Sequence, residues 1–166
     1  MHTRSWAATL AVVALCLAFA SPAVAKDPVR EFAGQAFGSD TPSAATGTCA
    51  GYWQTDTIRG LGQCLHLGRA TFSMTHCTNV DFATGTGAFE LGVMRVTAAN
   101  GDQLFMTEHG TFQATPDPPV SHATSWWTIT GGTGRFEGAT GSGTGGGVLD
   151  IATGTGSLWF SGTISY

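Results

Sequence analysis

The stretch Trp126-Trp127-Thr128-Ile129-Thr130 alternates in character and then runs into Gly131-Gly132-Thr133-Gly134-Arg135-Phe136-Glu137-Gly138-Ala139-Thr140-Gly141. An alternating run that stops at a glycine knot reads as a strand ending in a tight corner, not as part of a helix. Successive strand residues face opposite sides, so Trp126 and Trp127 cannot share a surface. The knot superficially resembles a glycine-rich phosphate loop, yet no helix pattern follows it and no Lys-Ser/Thr pair closes it. Gly131, Gly132, Gly134, Arg135 and Phe136 are therefore expected to form a structural turn that seats Phe136, with Arg135 tied to a carboxylate.

The rest of the chain follows the same grammar. Ala70, Phe72, Met74 and His76 alternate with Thr71, Ser73 and Thr75, a period-two pattern. Phe89 to Ala98 reads as a long strand. Ala99-Asn100-Gly101-Asp102 is the strongest hairpin signal, because Asn-Gly readily adopts positive φ at both turn positions. Gln103 to Phe112 is the return strand. Further strands are expected at Phe32–Phe37, Ser121–Thr130, Gly147–Ile151 and Ser157–Tyr166, with a short one at Arg135–Thr140. Gly38–Gly47 and Thr115–Val120 have loop composition. The Thr-Gly runs are uneven in spacing and read as turn and bulge punctuation, not as a solenoid repeat.

No stretch after the first 25 residues carries a helical apolar stripe. About seven to nine strands with short turns indicate a sandwich or a barrel. The chain ends in the apolar strand Leu158-Trp159-Phe160-Ser161-Gly162-Thr163-Ile164-Ser165-Tyr166, whose edge would invite aggregation unless paired. The expected fold is all-β, a single antiparallel eight-stranded β-barrel.

Residues 1–25 have the form of a signal peptide. His2 and Arg4 precede the apolar run Ala7–Ala20, and Ala23 and Ala25 supply the small residues of a cleavage site. The expected organisation is residues 1–25 as leader, 26–48 as an N-terminal strand and loop, and 49–166 as the barrel domain, with the mature protein secreted or periplasmic. No later stretch is apolar enough to span a bilayer as a helix. The net charge of −4 argues against a nucleic-acid partner, which would call for a basic face. Of the four cysteines, Cys16 falls in the leader, leaving Cys49, Cys64 and Cys77. An odd count in an oxidising compartment implies one disulfide and one spare thiol. Cys64 and Cys77 on one extended strand would lie too far apart to bridge, and the hairpin near Gly68 that would join them has a poor two-residue turn in Leu67-Gly68-Arg69, so Cys49 is the expected half, with Cys64 or Cys77 as partner.

Gly131-Gly132-Thr133-Gly134-Arg135-Phe136, with small residues after it, resembles the signature stretch of the dirigent and allene oxide cyclase-like barrels. Cys64-Leu65-His66-Leu67-Gly68, Ala98-Ala99-Asn100-Gly101-Asp102-Gln103-Leu104-Phe105 and the ending Phe160-Ser161-Gly162-Thr163-Ile164-Ser165-Tyr166 are similar to secreted bacterial relatives of that superfamily. The resemblance runs from Gly60 to Tyr166 and implies an eight-stranded antiparallel barrel. Its motifs are structural and carry over no catalytic residue. Leu65 stands where the bacterial relatives usually have threonine.

Glu108 is the most informative polar residue. It shares its phase with Leu104, Met106 and Phe112, which puts a carboxyl on an apolar face. Arg95 follows Phe89, Leu91 and Val93, and the Asn100-Gly101 hairpin makes the two strands neighbours. A Glu108–Arg95 pair inside the barrel is one expectation, since a buried carboxylate needs a partner. Another makes Glu108 a general acid/base or ligand anchor. A third places this face outside.

Glu108, Arg95, His66 and Trp127 are the candidate ligand-contacting residues. His66, His76, His109 and His122 show no metal-ligand spacing, so no metal and no cofactor are expected. Trp53, Trp126, Trp127 and Trp159 suit core packing, with an exposed one as a possible sugar platform. No nucleophile elbow is present. Three functional readings follow. The first is an exported barrel that binds a small apolar molecule or acts as an accessory protein, because eight-stranded barrels hold side chains or one small ligand. The second, motivated by Glu108 on an apolar face and by the barrel pattern, is an isomerase or cyclase acting on an oxylipin-like or phenolic substrate, with Glu108 as acid/base and Arg95 as an anion or oxygen anchor. The third is a surface carbohydrate or interaction module.

Overall fold

A computed structural model describes residues 28–116 and 119–166. These form a closed barrel of eight antiparallel strands, each paired with the next and the last with the first. In order they are β1 (Val29–Ala44), β2 (Gln54–Cys64), β3 (Gly68–Asp81), β4 (Thr86–Ala98), β5 (Gln103–Pro116), β6 (Pro119–Gly132), β7 (Thr140–Asp150) and β8 (Thr155–Ser165). Closure removes the edge that β8 would otherwise expose. The predicted leader lies outside the described residues.

Several expected boundaries move. Barrel strands begin at Val29, not at residue 49, because β1 pairs with both β2 and β8. Gly38–Ala44, loop-like in composition, continues β1 against Gln54–Gly60. Partner-strand hydrogen bonds override the weak strand propensity of Pro and small residues. Arg135–Thr140 is no strand: Gly134–Phe136 is a single 3-10 turn that carries β6 into β7.

The turns β1–β2, β3–β4, β5–β6 and β7–β8 gather at one end, here called upper. The Asn100-Gly101 hairpin, Leu65–Leu67 and the Gly134–Phe136 turn lie at the lower end. There Phe136 is fully buried, its ring 4.8 Å from that of Tyr166. Arg135 holds the corner as expected: its Nε lies 3.5 Å from Asp102 Oδ2, and its Nη2 donates to His66 O at 2.8 Å.

The middle of the barrel is solid. Phe32 meets Trp127 edge-on at 5.6 Å and Phe160 at 5.2 Å, and Phe72 lies 6.0 Å from Phe160. Glycine makes this possible. Gly143 and Gly162 lie in mid-strand, not in turns, and a Cβ on either would run into the Trp127 indole. A Cβ on Gly34 would run into the Phe160 ring. The Gly141–Gly147 run is thus not punctuation. Its alternate residues Gly141, Gly143 and Gly145 face inward without side chains, while Ser142 and Thr144 face out, and alternating large and small residues is how such interiors reach native density.

Cys49 and Cys77 form the disulfide, Cα to Cα 5.2 Å, tying the 3-10 turn Gly47–Cys49 to β3. Cys64 is free and buried, and burial pushes its thiol up to about 12, which makes it a poor nucleophile. Among the described residues no helix is long and apolar enough to cross a membrane.

Candidate functional site

The upper layer of the interior differs in kind from the middle. Asp56, His76, Thr78, Glu108 and Ser125 are each more than nine-tenths buried there. Their strands explain how they meet. Asp56 on β2 lies opposite His76 on β3, and Gly92 on β4 lies opposite Glu108 on β5. His76 must therefore reach over β4 to touch Glu108. Two features of β4 permit it. One extra residue is accommodated between Phe89 and Gly92, and Leu91 takes a left-handed conformation at φ 54°. Gly92 then offers no side chain: a Cβ there would strike Glu108. A non-glycine residue in this region costs free energy and is held only where its surroundings over-determine it.

The result is a chain of polar contacts. His76 Nδ1 lies 3.1 Å from Glu108 Oε1, and His76 Nε2 lies 3.7 Å from Asp56 Oδ2. Thr78 donates its hydroxyl to Asp56 Oδ2 at 2.5 Å, and Gln54 Nε2 donates to Asp56 Oδ1 at 2.6 Å. Phe89 stacks on the His76 ring at 4.6 Å, fixing its plane. With Glu108 ionised, Nδ1 carries the proton of the His76–Glu108 bond. Such an imidazole–carboxylate pair can orient a bound hydroxyl or carbonyl and can pass a proton along the Nδ1–Oε1 bond.

Asp40 on β1 completes the layer. Its Oδ1 is buried without a hydrogen-bond partner among the described residues. Burial, then the charge of Asp56, raises its carboxyl to about 6, with His76 opposing.

Of the four predicted ligand-contacting residues, the structure brings two together. Glu108 is 7% exposed and inward, and Trp127 stands opposite it on β6, its Nε1 donating to Thr144 O at 2.9 Å. Arg95 does not join them. The extra residue at Leu91 inverts the alternation, so Gly92, Met94 and Val96 point inward and Arg95 outward, its guanidinium 5.6 Å from the Phe105 ring centroid. The expected Glu108–Arg95 pair is replaced by Glu108–His76. His66 lies at the lower end at φ 68°, its Nε2 2.8 Å from Glu31 O, far along the barrel from Glu108.

Asp40, Asp56 and His76 were not among the predicted site residues. His76 shares its phase with Ala70, Phe72 and Met74, the signal by which its inward position could have been found. Among the described residues no His, Cys, Asp and Glu group has metal-holding geometry. Two surface concavities, about 480 and 930 Å³, lie along Leu61 and Arg69 and along Asn79 and His122, and Glu108 lines neither. Trp159 and Trp126 are 53% and 44% exposed on the outer wall. No protein-family model, curated protein or solved structure matches this chain.

Proposed function

We propose that the protein is an exported binding barrel whose upper interior receives a small, mainly apolar molecule bearing one polar group, held by Glu108 and His76. The observation that carries this reading is the buried Asp56–His76–Glu108 chain at the top of an interior whose middle is filled with Phe, Trp, Met and aliphatic side chains. For stability alone, apolar side chains of similar volume would serve as well or better than buried ionisable groups. The strained Leu91 and the bare Gly92, which together let His76 reach Glu108, support a selected geometry. Because Phe32, Phe72, Trp127 and Phe160 fill the middle, the ligand occupies the upper layer. Export is supported by the Cys49–Cys77 disulfide and the leader-like N-terminus. A relationship to the allene oxide cyclase-like and dirigent-like barrels is supported by the Gly131–Phe136 corner and the closed eight-stranded topology.

Native mass spectrometry of the secreted protein tests the binding reading. A co-purified small molecule that Glu108→Gln loses or weakens is the expected result. Ligand-free protein from its natural secretion, with no ligand found on screening apolar alcohols, phenols and ketones, overturns it.

The 3.1 Å His76–Glu108 contact favours one further reading, an isomerase or cyclase acting on an oxylipin-like or phenolic substrate with Glu108 as acid/base. Removing a general acid or base typically costs about 10²–10⁴ in rate. Glu108→Gln should then abolish turnover with affinity retained, whereas the binding reading expects affinity itself to fall.

A further inference from the structure

One side of the outer wall carries no charge. Outward residues alternate with inward ones along each strand. From Thr107 to Gln113 on β5, His122 to Thr128 on β6, Ser142 to Val148 on β7 and Ser157 to Thr163 on β8, the outward set is only Thr, Ser, Gln, His, Gly, Val and Trp. Two exposed tryptophans stand in this field. Trp159 of β8 lies opposite Gly146 of β7, and Trp126 of β6 lies opposite Thr144 of β7. Gly146 faces outward and is nevertheless buried, and a Cβ on it would come within 3.1 Å of the Trp159 indole. The indole therefore leans across β7, covering the glycine with one side and offering the other to solvent. Trp126 is held differently, stacked on His109 of β5 at 5.7 Å and 19°. Two strands apart and two residues out of step, the two tryptophans have Cα atoms about 12 Å from each other.

We propose that this wall binds a neutral, extended, β-1,4-linked polysaccharide chain, with Trp159 and Trp126 each stacking on a sugar ring. A pyranose ring has apolar C–H groups on its faces and hydroxyls around its rim. It fits an aromatic face surrounded by neutral hydroxyls and amides. The negative face of an indole attracts the polarised C–H groups, and stacking removes apolar area from water on both sides. Trp159 has such a surround: Gln35 of β1 lies opposite it, and Ser157 and Ser161 flank it on the same face. The row it shares with Gly146 continues through Thr124 and Thr111. That row enters the concavity of about 930 Å³ lined by Asn79, Thr111, Gln113, His122 and Thr124, all hydrogen-bonding side chains without formal charge. Asp81, the charged member of that lining, accepts from the Ala83 amide. Stacking platforms and a hydrogen-bonding cleft are thus contiguous.

The same features select the occupant. A charged polysaccharide would meet no counter-charge between the rims. The distance between the tryptophans is too long for one sugar ring to touch both, so the ligand is a chain. A protein partner calls for a continuous apolar centre, whereas Thr144 and the bare Gly146 separate the two indoles. Exposed Phe37 and Leu61, opposite each other on β1 and β2, adjoin the face at one corner and make a second copy of this chain the rival occupant. The site lies outside the barrel and does not depend on the ligand held by Glu108 and His76.

Isothermal titration of the secreted protein with cellohexaose, xylohexaose and chitohexaose tests the proposal, with polygalacturonate as the charged counterpart. At least one neutral hexaose should bind, and polygalacturonate should give no heat. Trp159→Ala and Trp126→Ala should each weaken binding about tenfold or more. Trp159→Phe, which keeps a ring, should lose less than Trp159→Ala. Trp53→Ala, which removes an exposed indole at the upper rim, should change nothing. Absence of binding to all three neutral hexaoses, binding that survives both alanine variants, or equal binding of polygalacturonate overturns the proposal. So does a dimer in sedimentation that Trp159→Ala or Phe37→Ser dissociates while no hexaose binds, which assigns the face to self-association. If an alanine variant does not fold, tryptophan emission of the wild type decides: a shift on adding the hexaose supports stacking, and an unmoved spectrum removes it.

Discussion

The middle and the upper layer of this barrel use one scaffold for opposite ends. In the middle, Trp127, Phe32 and Phe160 are set against Gly143, Gly162 and Gly34, so each large ring occupies the space a neighbour gives up. One layer higher, Gly92 gives up space for something different: it lets His76 and Glu108 meet across β4. Glycine is a packing device in the first region and a positioning device in the second. The difference teaches that stability and chemistry are separated along the barrel axis, and substitutions in the two layers should fail in different ways.

The largest effect is expected in the middle. Trp127→Ala removes the indole and leaves Gly143 and Gly162 facing a void that glycine cannot fill. Burial losses of this kind cost about 3–5 kcal/mol, which urea denaturation would show as a lowered midpoint. A loss under about 1 kcal/mol would mean that the middle is not the stabilising layer. Next in size is the strap. Cys49→Ser frees the 28-residue span to Cys77, and loop-closure arguments give about 3–4 kcal/mol. The same denaturation experiment under oxidising and reducing conditions checks this, with reduction of the wild type matching the variant.

The upper layer should lose geometry before stability. Gly92→Ala forces Glu108 away from its place over β4 and breaks the 3.1 Å contact with His76. A stability cost of about 1–3 kcal/mol is expected from overpacking. Ligand affinity or turnover should fall with it, as in Glu108→Gln. NMR of the His76 ring would report the broken contact: Nδ1 should lose the proton shift typical of a carboxylate hydrogen bond. An unmoved His76 signal in Gly92→Ala would show that the two regions use glycine alike, as mere filler space.

How much of this was legible in the sequence depends on whether alternation survives. It survives along β5, so the inward phase of Glu108 could be read from Leu104 and Met106. It fails along β4, where one extra residue at Leu91 inverts every side chain after it and turns Arg95 outward. Bulges of this kind leave no dependable residue signature, because Leu at positive φ is disfavoured locally and held by its surroundings. Asp40 was hidden for another reason. Gly38 to Gly47 has the composition of a loop, and only pairing with β2 draws it into the wall as far as Ala44. The closed barrel itself was legible from strand density, the hairpin at Asn100-Gly101 and the apolar last strand.

The smallest expected effect is the one that separates the layers by pH. Asp40 has a folded-state carboxyl raised to about 6 from 3.8, so the folded protein binds its proton more tightly than the unfolded chain. The favourable contribution is fully present below about pH 3.8 and is lost as pH rises through 6. Stability measured at increasing pH should therefore decline across that window in the wild type. Asp40→Asn, which cannot ionise, should lack that component and be more stable at pH 7 by about 1–2 kcal/mol, after discounting for the partial exposure of the side chain. The same pH scan on Trp127→Ala should keep the wild-type slope at a lower absolute stability, because the middle layer carries no titrating group. If Trp127→Ala changed the slope, or Asp40→Asn preserved it, the two layers would be energetically coupled and the division of labour along the axis would not hold.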